Sequence, residues 1–83
     1  MLAIKILGSG CPNCQRLAAA AERAVAGLGV EASIEKVTDY ARMMEYNILS
    51  TPGLVVNEKL VSSGRIPSEA EITSLITTAL AEA

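Results

Sequence analysis

The chain contains no histidine, no tryptophan and no phenylalanine, and Tyr40 and Tyr46 are its only aromatic residues. Without histidine it cannot build a Ser-His or Cys-His nucleophile pair, an H-E-x-x-H zinc site or a Cys-His zinc finger. Few aromatics also leave no platform for stacking bases, and the 7 Lys plus Arg are scattered singly among 9 acidic residues with no basic run. Nucleic acid is therefore not an expected partner. Near-apolar stretches such as Leu17 to Ala21 fall far short of the ~20 residues that span a bilayer. Met1 to Leu7 has Lys5 within it, with no small-residue cleavage site after a sustained apolar core, so no signal peptide is read there. No membrane association and a cytoplasmic location are the expectations.

What is present is 83 residues, 51% of them hydrophobic, enough for one small core and hence a single domain over 1–83. Leu2 to Leu7 reads as a strand that runs into Gly8-Ser9-Gly10. From there Cys14, Leu17, Ala21, Val25 and Leu28 recur at helical spacing, and Gly27 and Gly29 end the pattern. Val30, Ala32 and Ile34 alternate with polar residues as a second strand. Asp39 is the expected N-cap of a short helix with Tyr40, Met43 and Met44, and both tyrosines are expected to pack that helix. Leu54 to Val56 and Leu60-Val61 flank Asn57-Glu58-Lys59 as a hairpin, which Gly64 closes. Ser68 and Glu71 form the pattern of a capping box ahead of Ile72, Leu75, Ile76, Ala79 and Leu80, the expected buried stripe of a final helix. The order is βαβαββα, an α/β fold with a four-stranded mixed sheet flanked by helices.

Two cysteines stand three residues apart in Cys11-Pro12-Asn13-Cys14. A thiol attacks only as thiolate, and a free cysteine with a pKa near ~8.5 is a few per cent ionised at neutral pH. Cys11 sits where the first helix starts, so unpaired backbone N–H groups and the positive end of the helix dipole favour its anion. Pro12 suits the first helical turn, where a missing N–H costs nothing. Cys14 lies one turn deeper on the buried stripe and within reach of Cys11. The expected roles follow: Cys11 attacks a disulfide, and Cys14 then attacks Cys11 to leave an internal disulfide. The rival readings of the same pair are a soft-metal module for copper or zinc, and a purely structural bond. A bond closing so short a loop constrains little chain, which counts against the last.

With this C-x-x-C at a helix start and with Thr51-Pro52-Gly53 just before the hairpin, the chain resembles the thioredoxin and glutaredoxin superfamily. Within it, the likeness is to the small prokaryotic thioredoxin-like redox-active disulfide proteins. The resemblance implies a thioredoxin-like fold and an enzyme of thiol-disulfide exchange and electron transport, with a redox-active disulfide and no other cofactor or metal. It implies catalytic Cys11 and Cys14, a cis peptide before Pro52, and a substrate-binding surface of Pro12, Asn13, Thr51 and Pro52. Protein disulfides or dithiols are the implied substrates of a monomer. A thioredoxin-reductase-like protein is the implied reductant rather than glutathione, because Ser63-Gly64-Arg65 lacks a glycine pair followed by Asp. Two departures stand out: Gly10 replaces the tryptophan that precedes the first cysteine, and Lys5 is the strand's one ionisable residue where larger thioredoxins carry a buried acid.

Overall fold

The computed structural model describes residues 2–8, 12–48 and 50–82. Strand β1 (Leu2–Leu7) is followed by helix α1 (Pro12–Leu28), β2 (Ala32–Val37), the short helix α2 (Tyr40–Met44), β3 (Gly53–Val56), β4 (Lys59–Ser63) and α3 (Glu69–Glu82). The four strands form one sheet in the order β2-β1-β3-β4. β1 pairs in parallel with β2 and antiparallel with β3, and β3 pairs antiparallel with β4, with an irregularity between Leu54 and Val55.

Alternation along β1 sorts the side chains to two faces. Leu2, Ile4 and Ile6 enter one core with Leu17, Ala18, Ala21 and Ala24 of α1 and Ile72 and Ile76 of α3. Leu7 joins Val37, Met43, Ile48 and Val55 in a smaller core on the opposite face, beside α2. Of the five residues expected on the buried stripe of α1, Cys14, Leu17 and Ala21 are buried and Val25 and Leu28 partly so, while Ala18, Ala20 and Ala24 are buried as well.

Local signals act as their chemistry dictates at several points. Asp39 caps α2 by accepting a hydrogen bond from Ala41 N at 3.0 Å. The hairpin turn is the two residues Asn57 and Glu58, at φ 51 and 69, and Lys59 already belongs to β4. Positive φ at both central positions is the turn geometry that matches strand twist, and Asn tolerates it well. Asn57 also clasps the start of β1, its N–H donating to Ala3 O at 2.7 Å and its Oδ1 accepting from Ala3 N at 3.0 Å.

Three expectations are corrected. Ser68 Oγ accepts from Glu71 N at 3.2 Å, yet the Glu71 carboxylate binds Arg65 instead of closing the capping box. A full guanidinium charge outcompetes one backbone N–H for that carboxylate. Leu80 is 41% exposed, whereas its neighbour Ala79 packs against the main core. Tyr40 is 65% exposed and does not pack α2, whose five residues leave it on the outer side. Lys5, the ionisable residue of β1, projects to the α2 face, away from α1, and donates to Tyr46 Oη at 2.9 Å and to Glu58. Tyr46 Oη in turn donates to the other Glu58 oxygen at 2.8 Å.

Candidate functional site

The site lies at the end of the sheet where β1 stops and α1 starts. Cys11 falls outside the described residues, directly ahead of Pro12, the first residue of α1. Pro12 and Asn13 are exposed in the first turn, whereas Cys14, the third residue of the helix, is 5% exposed. Cys14 lies against Gly8, the residue after β1. A Cβ built on Gly8 would fall far inside van der Waals contact of Cys14 Sγ, so the absent side chain is what admits the sulfur. Gly8 is itself fixed by its N–H, which donates to Val37 O at 3.0 Å.

The second arm of the site is the loop before β3. The Thr51–Pro52 peptide is cis, with Thr51 exposed and Pro52 buried. The antiparallel pairing ends at Leu7 and Gly53, so Gly8 and Pro52 each lie one residue beyond that same end of the sheet. The sheet register thus brings Cys14, Gly8 and Pro52 to one end of the molecule. Gly64 holds the loop from the far side, its N–H donating to Pro52 O at 2.9 Å. Its φ of +74 favours glycine there, and a Cβ would also press on Ser50 Oγ.

Beside Cys14 is a small cavity of about 30 Å³ lined by Ile6, Gly8, Cys14, Gln15, Lys36 and Thr38. Gly8, Lys36 and Thr38 line that cavity and are residues that reading the sequence did not single out. In the sequence Gly8 is only the first residue of Gly8-Ser9-Gly10, and Lys36 carries no motif. The signal for both is the strand register: once Ile6 is paired with Lys36, every second residue of β2 shares the face of α1. Lys5, the ionisable residue noted in β1, is on the other face and is not part of the site. There it is held well above the ordinary lysine range by its hydrogen bond to Glu58 and, next, by that to Tyr46. Among the described residues, no group of three or more His, Cys, Asp or Glu is placed to hold a metal ion, and no helix is long and apolar enough to cross a membrane.

Residues 2–77 match the family described as thioredoxin domain. The chain belongs to that family. Thiol-disulfide exchange is accordingly its general chemistry. It is 38% identical over 76 residues to a thioredoxin of Methanothermobacter thermautotrophicus, covering 92% of this chain and 99% of that one. A thioredoxin of Methanocaldococcus jannaschii is 40% identical over 72 residues, which is 87% of this chain and 83% of the other. Among solved structures, thioredoxin-2 of a malaria parasite superposes with a TM-score of 0.71 over 94% of this chain and 82% of its own, at 13% identity. That last likeness bears on the fold, and the four-stranded mixed sheet with three helices is the thioredoxin-like α/β fold.

Proposed function

We propose that the chain is a protein thiol:disulfide oxidoreductase that cycles Cys11 and Cys14 between dithiol and disulfide. The observation that carries this reading is the placement of Cys14: buried in the first turn of α1, three residues after Cys11, at the sheet end that also holds Pro52. In the reductive direction, the Cys11 thiolate attacks a substrate disulfide, forming a mixed disulfide and releasing one substrate thiolate. Cys14 then attacks Cys11 Sγ, forming the internal disulfide and releasing the second. The exposed Pro12, Asn13 and Thr51 and the buried Pro52 form the substrate-facing rim, with the Thr51 backbone pairing with an extended substrate segment. A thioredoxin-reductase-like protein returns the electrons to a monomeric, cytoplasmic protein that uses no cofactor beyond its own disulfide.

The soft-metal alternative is disfavoured by the family match and by α3. A metallochaperone of this size needs a closing strand where this chain has a helix.

The test is trapping. With insulin as the protein disulfide substrate, Cys14→Ser should accumulate a mixed disulfide through Cys11, because attack proceeds and resolution does not. Equal trapping through Cys14 in Cys11→Ser would overturn the assignment of roles. A redox titration of the intact protein should also give a reversible two-electron midpoint within roughly −270 to −120 mV, whereas a midpoint well below about −300 mV would mark a structural bond.

A further inference from the structure

Gly53 is the only glycine within the four strands, and it opens β3. A glycine in a strand forfeits side-chain packing and tends to mark a place that another group approaches closely. Its backbone is outside the left-handed region and would accept a side chain, so the reason for glycine here is one of space. What comes close is Ile48. A Cβ built on Gly53 would fall far inside van der Waals contact of Ile48 Cδ1, whereas Ile48 Cγ1 and Leu60 Cδ1 each lie 3.5 Å from the same point, an ordinary contact.

The sheet register accounts for the encounter. Gly53 stands opposite Leu7 and Val55 opposite Lys5, so a side chain at position 53 would leave the sheet on the α2 face. Leu7, Val37, Met43 and Val55 form the small core on that face, and Ile48, itself buried, completes it. Ile48 therefore fills the place on β3 that Gly53 leaves bare, although it belongs to the chain ahead of the Thr51–Pro52 loop. The loop is thus closed on itself: it leaves the core at Ile48 and re-enters the sheet at Gly53, with exposed Thr51 and buried Pro52 between. On the far side the Gly64 N–H holds Pro52 O at 2.9 Å, and Ser50 Oγ lies close beside Gly64. Leu7, in the same small core, directly precedes Gly8, against which Cys14 lies. One cluster of side chains holds the root of both arms of the site.

We propose that Ile48 is a positioning residue for the substrate-facing loop: its Cδ1, seated over Gly53, sets where the Thr51 backbone meets an extended substrate segment. This rests on the oxidoreductase reading above and adds to it the residue that holds the docking arm in place. The effect of Ile48 falls on the docking of a protein disulfide, which uses the loop, more than on thiol exchange as such.

Exchanging one methyl between the two positions tests this. Ile48→Val removes Cδ1, and Gly53→Ala puts a methyl where Cδ1 stood. In insulin reduction driven by dithiothreitol, Gly53→Ala should raise KM about threefold or more with a smaller change in kcat, because Ile48 is pushed off the strand and takes the loop with it. Ile48→Val, which only opens space, should raise KM about twofold. In the double variant Ile48→Val/Gly53→Ala the methyl is restored from the other side, and KM should return to within about 1.5-fold of wild type. A small aromatic disulfide, too short to pair with the Thr51 backbone, should lose a smaller factor in each variant.

An insulin KM unchanged in Gly53→Ala, or a double variant no better than Gly53→Ala alone, would overturn the positioning role. Equal losses with insulin and the small disulfide would do so too, since they would place the effect outside docking. Ile48→Val decides the matter where Gly53→Ala does not fold, and a KM there equal to that of wild type overturns the role. A wild-type protein that does not reduce insulin would instead overturn the oxidoreductase reading. The Thr51 amide resonance would still report on Ile48, shifting in Gly53→Ala and returning in the double variant.

Discussion

A methyl group added at position 8 has nowhere to go but into Cys14 Sγ. Gly8 does not occupy the left-handed region, so alanine suits its backbone and the whole penalty is one of space. Overpacking of this kind costs about 1–3 kcal/mol. Gly8→Ala should lower the stability of the reduced protein by that amount in urea denaturation, and the loss should shrink sharply when Cys14→Ala is added. Such coupling is expected of two residues in direct contact; additive losses would mean that the sulfur is not what Gly8 accommodates. The sequence shows only a glycine near a cysteine, and that the two meet follows from how β1 hands the chain to α1.

Among the elements, the α2-side face of the sheet is joined to the hairpin turn by Lys5, Tyr46 and Glu58. The hydrogen bond from Lys5, and next that from Tyr46, holds the Glu58 carboxyl below the usual carboxylate range. A depressed folded value adds stability above the unfolded value of about 4.3, and that stability is lost as pH falls through the folded value. Lys5, raised in its turn, adds stability below its unfolded value of about 10.4, lost as pH rises through the folded one. Glu58→Gln should therefore be less stable than wild type at neutral pH and converge with it in acid, as read from urea midpoints across pH. A deficit that persists unchanged in acid would point to the turn itself rather than the ion pair.

The same elements show what a sequence can disclose. β1, α1, the Asp39 cap and the hairpin are encoded within a few residues of themselves, so their patterns are readable. Cys14 and Pro52 stand out as candidate site residues because each carries a motif. Lys36 and Thr38 join Cys14 through the pairing of β1 with β2, and Glu71 turns to Arg65 because a distant charge competes with a local cap. Leu80 continues the helical period of Ile72 and Ile76 yet is 41% exposed, since periodicity marks a face and not how deeply each position on it is covered.

At the scale of the whole molecule, stability rests on one principal core in which α1 and α3 cover the same side of the sheet. A chain this short has little surplus burial. Ile76 is fully buried there, and Ile76→Ala should cost about 2–5 kcal/mol, a large part of the total stability of a small domain. Leu80→Ala, four residues on and 41% exposed, should stay within about 0.5 kcal/mol. Chemical denaturation of the two variants checks both figures, and a large loss at Leu80 would mean that the last turn of α3 has a partner in solution.

The strand order also has a temporal meaning during synthesis. β1 is made first yet lies inside the sheet, between β2 and β3, and its antiparallel neighbour is not made until residues 53–56. A ribosome adds residues at about 5–20 per second, so both thiols leave the exit tunnel seconds before the strand that completes their end of the sheet. The nascent protein thus presents its reactive pair to its surroundings before it has built the enclosure that governs it.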